Sequence, residues 1–552
     1  MPGTESRRGP AGRRRGGPMR RRMLPAMAAG LALAAPAGAQ AFVPRPWTPT
    51  TEARNYAKLG ERQTVYDTPG YQLMLRAVSA RNAADALAQQ ARDPEREFLD
   101  HVCAFDADGC AGDVRLDGWQ AAGHGLVQRV HFTARSGATL SGHVWATRSG
   151  PARRPGIVIT TGSIQADEQM YWYAAQALAK AGYVVLSFDP QGQGQSDTFG
   201  EGPDRMEGVP AQSDGRPFFD GTEDAIDFLL STPARPYAPV PSCSTGSSHA
   251  ARQRARVARG LDSAYDPFWA VLDPGRIGLA GHSYGAAGVS YIGQWDPRVA
   301  AIVAWDNLSL PLPVGQASFP PGEAGCPANP AARRPVSITR PALGMSADYF
   351  LPPLPNTAQP DPTGCRPPSN PVTAVVVPFG CKSTVSRQYS RLGVDTGELI
   401  IRGGSHVDFS FIPNPAFGAT LRGADMIAWY TTAWFDKYVR GDPTADARLL
   451  TTRWQHDRAE AQIDPSHDGD MLSFYYPSRL DIHVDHRRVD CEDLRSGCPE
   501  AVSRDGAPPD YSYVAVDTSP DGGSAPGVST GLPPPAVATA PAPRSWRPLV
   551  AL

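Results

Sequence analysis

The segment Gly281-His282-Ser283-Tyr284-Gly285 has the residue types and spacing of a nucleophilic turn. It follows the apolar run RIGLA and precedes the small-residue segment AAGVSYIG, a pattern that predicts a strand, a sharp turn and a helix. Glycines on both sides let the backbone pass tightly through such a turn. An ordinary surface serine is the alternative, but the flanking strand and helix favour Ser283 as the nucleophile of an acyl transfer.

A serine hydroxyl needs a base to take its proton, and His406 is the best placed of the 11 histidines. It follows a predicted strand in GGSHVDF, downstream of the nucleophile, which is the chain order expected for this type of turn. His282 is expected to point away from Ser283 and to be structural. Surface positions are expected for the histidines of the more polar C-terminal sequence, namely His456, His467, His483 and His486.

The carboxylate that orients the imidazole has two candidates. Asp306 ends VAAIVAWD and Asp348 ends PALGMSAD, so both stand at the mouths of predicted buried strands. A carboxylate in such a place is costly unless it is paired. The residue pattern leaves both open, with capping of loop amides as the alternative role for either.

The oxyanion of the tetrahedral intermediate needs two amide donors. We expect one from the backbone of Tyr284, directly after the nucleophile. The other is expected from the loop after PGIVITTG, most simply from the backbone of Ser163. Their side chains carry no information about this role.

The elements that must position these residues alternate between strands and helices. VQRVHFTAR and LSGHVWATR predict a hairpin around Ser136-Gly137, and PGIVITTGS is the β-branched run typical of a buried parallel strand. Further strands are expected at YVVLSFD, RIGLAGHS, VAAIVAWD, PALGMSAD and GELIIRGGSH, with helices between them. This alternation predicts an α/β fold with a mostly parallel central sheet and helices on both faces.

Two helices are expected outside that alternation. Apolar residues recur at near-helical spacing between Tyr71 and Arg92, among them Leu73, Leu75, Val78 and Leu87. A terminal amphipathic helix is expected from Leu421 to Val439.

The chain divides into segments of different composition. Residues 231–273 and 310–385 interrupt the alternation and are expected to be lid or binding loops. The expected order is a signal peptide (1–41), a helical N-terminal extension (42–124), a catalytic domain with those two insertions (125–440), a C-terminal extension (441–500) and a disordered Pro/Ala-rich tail (501–552).

The N-terminus and the overall charge limit the compartment and the partners. Arg20 to Arg22, an apolar run and a small-residue cleavage site predict export, to the periplasm or outside the cell, with a loose twin-arginine character. The run is too short to span a bilayer, so no anchor is expected after cleavage. With 53 basic and 55 acidic residues, a net charge of -2 argues against a nucleic-acid partner.

The eight cysteines fit an oxidising compartment. Cys103 with Cys110, and Cys491 with Cys498, are each spaced to close a short loop. Three connectivities remain for Cys243, Cys326, Cys365 and Cys381. No zinc-type spacing is present, and we expect neither a metal nor a cofactor.

Together, PGIVITTGS, FDPQGQGQSD, GHSYG and GGSH resemble the α/β-hydrolase superfamily over roughly residues 125 to 440. The run from Asp189 to Ser196 is similar to that family's Asp-x-x-Gly-x-Gly-x-Ser. Platelet-activating-factor acetylhydrolases are similar around AWDNL, SADYF and RGGSHVDF, and this resemblance implies Asp306 as the acid. Secreted polyester hydrolases and cutinases imply Asp348, but with a spacing about two residues shorter than theirs, so Asp306 is preferred.

We therefore expect a secreted serine esterase that acts on a small or lipid-like ester. Trp305, Phe350, Phe409 and Phe411 are candidates for an apolar acyl pocket, with ordinary core packing as the alternative. A peptidase or amidase of the same fold is a second possibility, because acyl-enzyme chemistry also serves amides. A non-catalytic surface binding protein on a hydrolase scaffold is the third. Oligomeric state is left open.

Overall fold

The computed structural model describes residues 42–61, 69–98, 111–163, 167–211, 215–311, 336–350, 354–365, 382–411, 419–463 and 466–498. The expected signal peptide and Pro/Ala-rich tail, the pair Cys103 and Cys110, and much of the insertion 310–385 lie outside these ranges.

The described chain forms ten named strands and eleven α-helices. The strands are β1 Gly125–Thr133, β2 Thr139–Thr147, β3 Arg154–Thr160, β4 Val184–Phe188, β5 Leu272–His282, β6 Val299–Trp305, β7 Ala342–Ala347, β8 Thr396–Ile401, β9 Arg479–Val484 and β10 Arg487–Cys491. The helices are α1 Pro49–Glu61, α2 Pro69–Arg92, α3 Asp117–Ala121, α4 Trp172–Lys180, α5 Arg216–Leu229, α6 Ala250–Ala258, α7 Tyr284–Trp295, α8 Thr384–Arg391, α9 Leu421–Phe435, α10 Ala445–Leu449 and α11 Arg458–Ile463.

All ten strands belong to one sheet, in the order β1-β2-β4-β3-β5-β6-β7-β8-β9-β10. Strands β4, β3, β5, β6, β7 and β8 pair in parallel, whereas β1 and β2 at one end and β9 and β10 at the other pair antiparallel. The predicted mostly parallel α/β sheet is confirmed. The carboxyl ends of the parallel strands meet at one edge, where loops from several strands come together.

Helices cover both faces of the sheet, as predicted. Along β3, Ile157 and Ile159 join the core cluster that contains α4 and α9, whereas Val158 joins the cluster of α5 and α7. This alternation follows from the period-two side-chain pattern of a strand. Because both faces are buried, β3 is a continuous apolar run rather than an alternating one.

The predicted hairpin and first long helix are both present. Thr133 of β1 pairs with Thr139 of β2 across the expected turn. Helix α2 buries Tyr71, Leu75 and Val78, but Leu73 and Leu87 are 60% and 50% exposed. The near-helical spacing therefore identified the helix correctly but included two residues that face solvent, because only one stripe of the helix contacts the core.

The C-terminal extension adds two strands to the sheet that the sequence reasoning did not identify. β9 pairs antiparallel with β8, and β10 returns along β9 after a turn in which Asp485 and His486 have φ values of 47° and 63°. Such left-handed backbone is typical of a two-residue hairpin turn. Cys491, at the end of β10, forms the predicted disulfide with Cys498.

Within the described part of the chain, no helix combines the length and apolar character needed to cross a membrane.

Candidate active site

Ser283 lies at the turn between β5 and α7, where its backbone has φ 56° and ψ -117°. This is a sparsely populated conformation for a residue with a side chain. A Cβ atom on Gly285 would lie 2.4 Å from the carbonyl oxygens of both Thr160 and Thr161. A Cβ on Gly281 would lie 2.4 Å from the Gly285 oxygen. The glycine spacing noted in the sequence is therefore a requirement of close backbone packing.

The strands on either side of β5 fix the turn. The amide of Ser283 donates to the carbonyl of Trp305, the last residue of β6, at 3.0 Å. On the other side, a Cβ on Gly162 would lie 3.3 Å from the Cβ of Ser283. Since Ser163 follows Gly162, the loop after β3 lies directly beside the candidate nucleophile.

Asp306 and His406 are in direct contact. His406 Nδ1 lies 2.6 Å from Asp306 Oδ2, and the two side chains are 9% and 10% exposed, respectively. Asp306 directly follows β6 and has a φ of 37°, a second left-handed backbone at this edge. The bond occupies Nδ1, so Nε2 is the ring nitrogen left for proton transfer.

A local hydrogen-bond network holds the turn that carries His406. Ser405 and Asp408 form a capping box, in which the Ser405 amide donates to Asp408 Oδ2 at 2.7 Å. The other carboxylate oxygen of Asp408 accepts from the amide of Thr420, at the start of α9, at 2.9 Å. The backbone beside the imidazole is thereby tied to a core helix.

Asp348, the alternative acid, has other partners. Its Oδ2 accepts from Asn55 Nδ2 and from the amide of Gly403, both at 2.9 Å, and its Oδ1 accepts from Ser473 Oγ at 2.5 Å. The carboxylate thus joins α1, the loop before His406 and the C-terminal region. It is 2% exposed, and these hydrogen bonds link the three segments.

His282 contacts His406 and not only the core. Their ring centroids are 4.4 Å apart. His282 Nδ1 lies 2.8 Å from the hydroxyl of Tyr171, which also accepts from the amide of Gly162 at 3.0 Å. Burial, with a smaller contribution from His406, holds the pKa of His282 well below its usual range. Tyr171 was missed by the sequence reasoning, because nothing in its local pattern distinguishes it from a core aromatic.

The two expected oxyanion donors lie at the same edge. Tyr284 is the first residue of α7, and the first amides of a helix have no acceptor within the helix. Its ring stacks on Phe218 of α5, with centroids 5.3 Å apart. Ser163 directly follows Gly162, which lies beside Ser283.

The Asp189 motif forms a turn after β4. Asp189 Oδ1 accepts from the amide of Glu168 at 2.8 Å, and Oδ2 accepts from the amide of Gln195 at 3.0 Å. A Cβ on Gly194 would lie 2.4 Å from this carboxylate. The motif therefore supports the neighbouring loop without contributing a group to the candidate site.

Of the aromatic residues proposed for an acyl pocket, most are core residues. Trp305 and Phe409 are fully buried, and Phe411 is 2% exposed. Only Phe350 is partly exposed, and its ring centroid lies 4.7 Å from that of His406. Residues that directly follow an apolar strand often belong to the core themselves. Sequence position alone therefore did not distinguish lining of an acyl pocket from core packing.

A buried carboxyl lies on the strand behind the site. Glu398 of β8 accepts from Ser346 Oγ at 2.5 Å, and burial raises its pKa well above the usual range. Lys382 Nζ donates to the carbonyl of Ala347 nearby, and burial lowers the pKa of this amine. Sequence reasoning did not use Glu398, although a carboxylate inside the apolar run GELII was a usable signal.

Comparison with known proteins adds one similarity. No protein-family model matches the chain. A stretch of 180 residues, 33% of the chain, is 28% identical to a thiohydrolase, apmlB, of Arthrinium phaeospermum. The match covers 43% of that protein, so the chain spans less than half of its length.

Proposed function

We propose that the protein is a serine hydrolase of the α/β-hydrolase fold that cleaves carboxylic esters through Ser283, His406 and Asp306. The observation that carries the proposal is the 2.6 Å contact between His406 and Asp306, at the sheet edge where Ser283 occupies a strained turn. The parallel sheet and the chain order Ser, Asp, His agree with that fold.

In the acylation step, Nε2 of His406 takes the proton of Ser283 Oγ as that oxygen attacks the ester carbonyl. The amides of Tyr284 and Ser163 donate to the resulting oxyanion. The imidazolium then gives its proton to the departing alcohol oxygen, and the C–O bond breaks to leave an acyl-serine. Water, activated by the same imidazole, releases the acid.

Asp306 has two tasks in this scheme. Its carboxylate holds His406 with the proton on Nδ1, so that Nε2 is free to accept, and it stabilises the imidazolium once formed. Side chains and amides of the chain serve every step, so the proposal requires no cofactor.

A fluorophosphonate probe tests the proposal directly. Wild-type protein should be labelled and should hydrolyse p-nitrophenyl butyrate, whereas Ser283→Ala should lose both while keeping its melting temperature. p-Nitroanilides, assayed in parallel, should be poor substrates. A folded wild type that never labels would overturn the proposal and favour a binding protein. Faster cleavage of the anilides than of the esters would favour a peptidase.

Thioesters are a second candidate substrate class. The observation in their favour is the similarity of part of the chain to a protein named as a thiohydrolase. The same acylation step applies, with a thiol as the leaving group. Matched S-butyl and O-butyl esters of one acid, followed by release of thiol and of acid, would separate the two classes through the ratio of their kcat/KM values.

We also propose that the protein is exported. The supporting feature is the basic and apolar pattern before residue 42, and the pairing of Cys491 with Cys498 fits an oxidising compartment. Expression with the natural N-terminus, followed by N-terminal sequencing of extracellular and periplasmic protein, should find a start near residue 42. Accumulation of the uncleaved chain in the cytoplasm would contradict this.

A further inference from the structure

Phe350 is the aromatic residue in contact with the candidate general base. Its ring centroid lies 4.7 Å from that of His406, with the planes inclined by 32°. Unlike the fully buried Trp305 and Phe409, it is partly exposed. Phe350 therefore both contacts the imidazole and is accessible to solvent.

The reaction mechanism determines which part of the substrate would contact Phe350. Nδ1 of His406 is bonded to Asp306, so the proton for the leaving group must come from Nε2. The departing alcohol or thiol thus lies beside the imidazole when its bond breaks. The acyl group, by contrast, remains attached to Ser283.

A polar network from helix α1 holds the residue next to Phe350. The hydroxyl of Tyr349 donates to Glu52 Oε1 at 2.7 Å and accepts from Asn55 Nδ2 at 3.1 Å. Tyr56 packs edge-on against the Tyr349 ring, with centroids 5.4 Å apart. Three side chains of one helix therefore fix the backbone that carries Phe350.

Glu52 also ties this network to more distant parts of the chain. Its Oε1 accepts from the amide of Asn356 at 2.7 Å, and its Oε2 accepts from the Tyr475 hydroxyl at 2.6 Å. The segments on both sides of Phe350 are thus held by one buried carboxyl, which is 3% exposed. An aromatic ring carried by a backbone this well anchored can form a wall of fixed shape.

We propose that Phe350 forms the wall of the leaving-group subsite, that α1 positions it through Tyr349, and that the enzyme consequently prefers esters or thioesters of apolar alcohols or thiols. The inference rests on the proposed function and deepens it. It also gives a role at the active site to an N-terminal helix that lies far from Ser283 in the chain.

Two series of esters distinguish a role of Phe350 in the leaving-group subsite from a general effect on activity. In one, the acid is always acetic and the alcohol is ethyl, butyl or hexyl, so that alcohol acidity stays nearly constant. In the other, the alcohol is always p-nitrophenol and the acid is acetic, butyric or hexanoic. Wild-type kcat/KM should rise by about 10-fold or more from ethyl to hexyl, because the added methylenes are at least partly buried against Phe350.

Phe350→Ala should flatten the alcohol series to within about threefold and leave the slope of the acyl series unchanged. The deacylation rate, measured in single turnovers, should also stay constant, because the alcohol has already departed. A residue that merely held His406 in place would slow deacylation as well. Tyr349→Phe, which removes the hydroxyl without leaving a cavity, should weaken the alcohol preference in part. Arg54→Gln, on the exposed face of α1, is the matched control.

Altered acyl preference with unaltered alcohol preference in Phe350→Ala would overturn the inference, as would equal slowing of acylation and deacylation. A wild-type enzyme that labels with fluorophosphonate yet shows a flat alcohol series would overturn this inference alone. A wild-type protein that does not label would overturn the proposed function as well.

Discussion

Replacing Asp306 by Asn, with Asp348→Asn as its matched partner, tests the assignment of the acid most sharply. Both residues follow neighbouring parallel strands and both are carboxylates with hydrogen bonds to the loop of His406. Only Asp306 contacts the imidazole, at 2.6 Å from Nδ1. Asp348 instead receives bonds from Asn55, Gly403 and Ser473.

The two substitutions are expected to affect different quantities, namely turnover for Asp306→Asn and stability for Asp348→Asn. An amide at 306 offers its N–H or its oxygen to Nδ1 without the charge that stabilises imidazolium, and the equivalent change in serine protease triads lowers kcat by about 10⁴, or roughly 5 kcal/mol. An amide at 348 weakens hydrogen bonds that the carboxylate accepts, each worth about 1.5–3 kcal/mol. The second loss falls mainly on the free energy of unfolding. Turnover should drop by no more than about 10-fold, which corresponds to less than about 1.4 kcal/mol of lost transition-state stabilisation.

The assay is turnover of p-nitrophenyl butyrate together with the melting temperature and the rate of fluorophosphonate labelling. Asp306→Asn should keep its melting temperature and lose turnover, while Asp348→Asn should melt earlier and remain active. The opposite result would refute the assignment of Asp306. If Asp348→Asn lowered turnover by about 10⁴ at unchanged stability and Asp306→Asn kept near-normal turnover, Asp348 after β7 would be the acid.

Three further predictions follow from the described contacts. Tyr171→Phe removes the acceptor for the Gly162 amide, so kcat on p-nitrophenyl butyrate should fall by about 10-fold with little change in KM. This loss is smaller than the 10²–10³ lost with a whole oxyanion donor. An unchanged kcat would contradict the prediction. Gly285→Ala places a Cβ 2.4 Å from two backbone oxygens and should abolish labelling by the fluorophosphonate; normal labelling would show that the turn tolerates a side chain. Glu398→Gln should stabilise the protein more at pH 8 than at pH 5 in urea unfolding. Since burial raises the folded pKa of Glu398, the folded state binds more protons than the unfolded state, and stability declines as pH rises from the usual carboxyl range. Equal effects at both pH values would mean that Glu398 is ionised when folded.

The sheet was largely predictable because its strands are apolar runs between clear turn signals. β3 and the β1–β2 hairpin were expected from residue pattern alone. β9 and β10 were missed because RLDIHV and RRVDC mix charged and apolar residues, and only pairing with β8 makes them strands. Tertiary context of this kind is invisible to a local pattern.

The candidate site residues were predicted from residue type and chain order, and their catalytic roles stay a prediction. Ser283, His406 and Asp306 were all named, and the structure brings them to one edge of the sheet. The choice between Asp306 and Asp348 could not be made from pattern, because both end buried strands and differ only in their partners. Those partners include Asn55, which lies 293 positions from Asp348 in the chain.

The left-handed backbone at Ser283 has a consequence for engineering. Its φ of 56° costs about 1–3 kcal/mol with a side chain present and almost nothing with glycine. Ser283→Gly should therefore raise heat tolerance while removing the nucleophile. Directed evolution that selects survivors of heating, without a parallel screen for turnover, would enrich inactive proteins at this position. Thermal stability and catalytic activity therefore favour different residues at position 283.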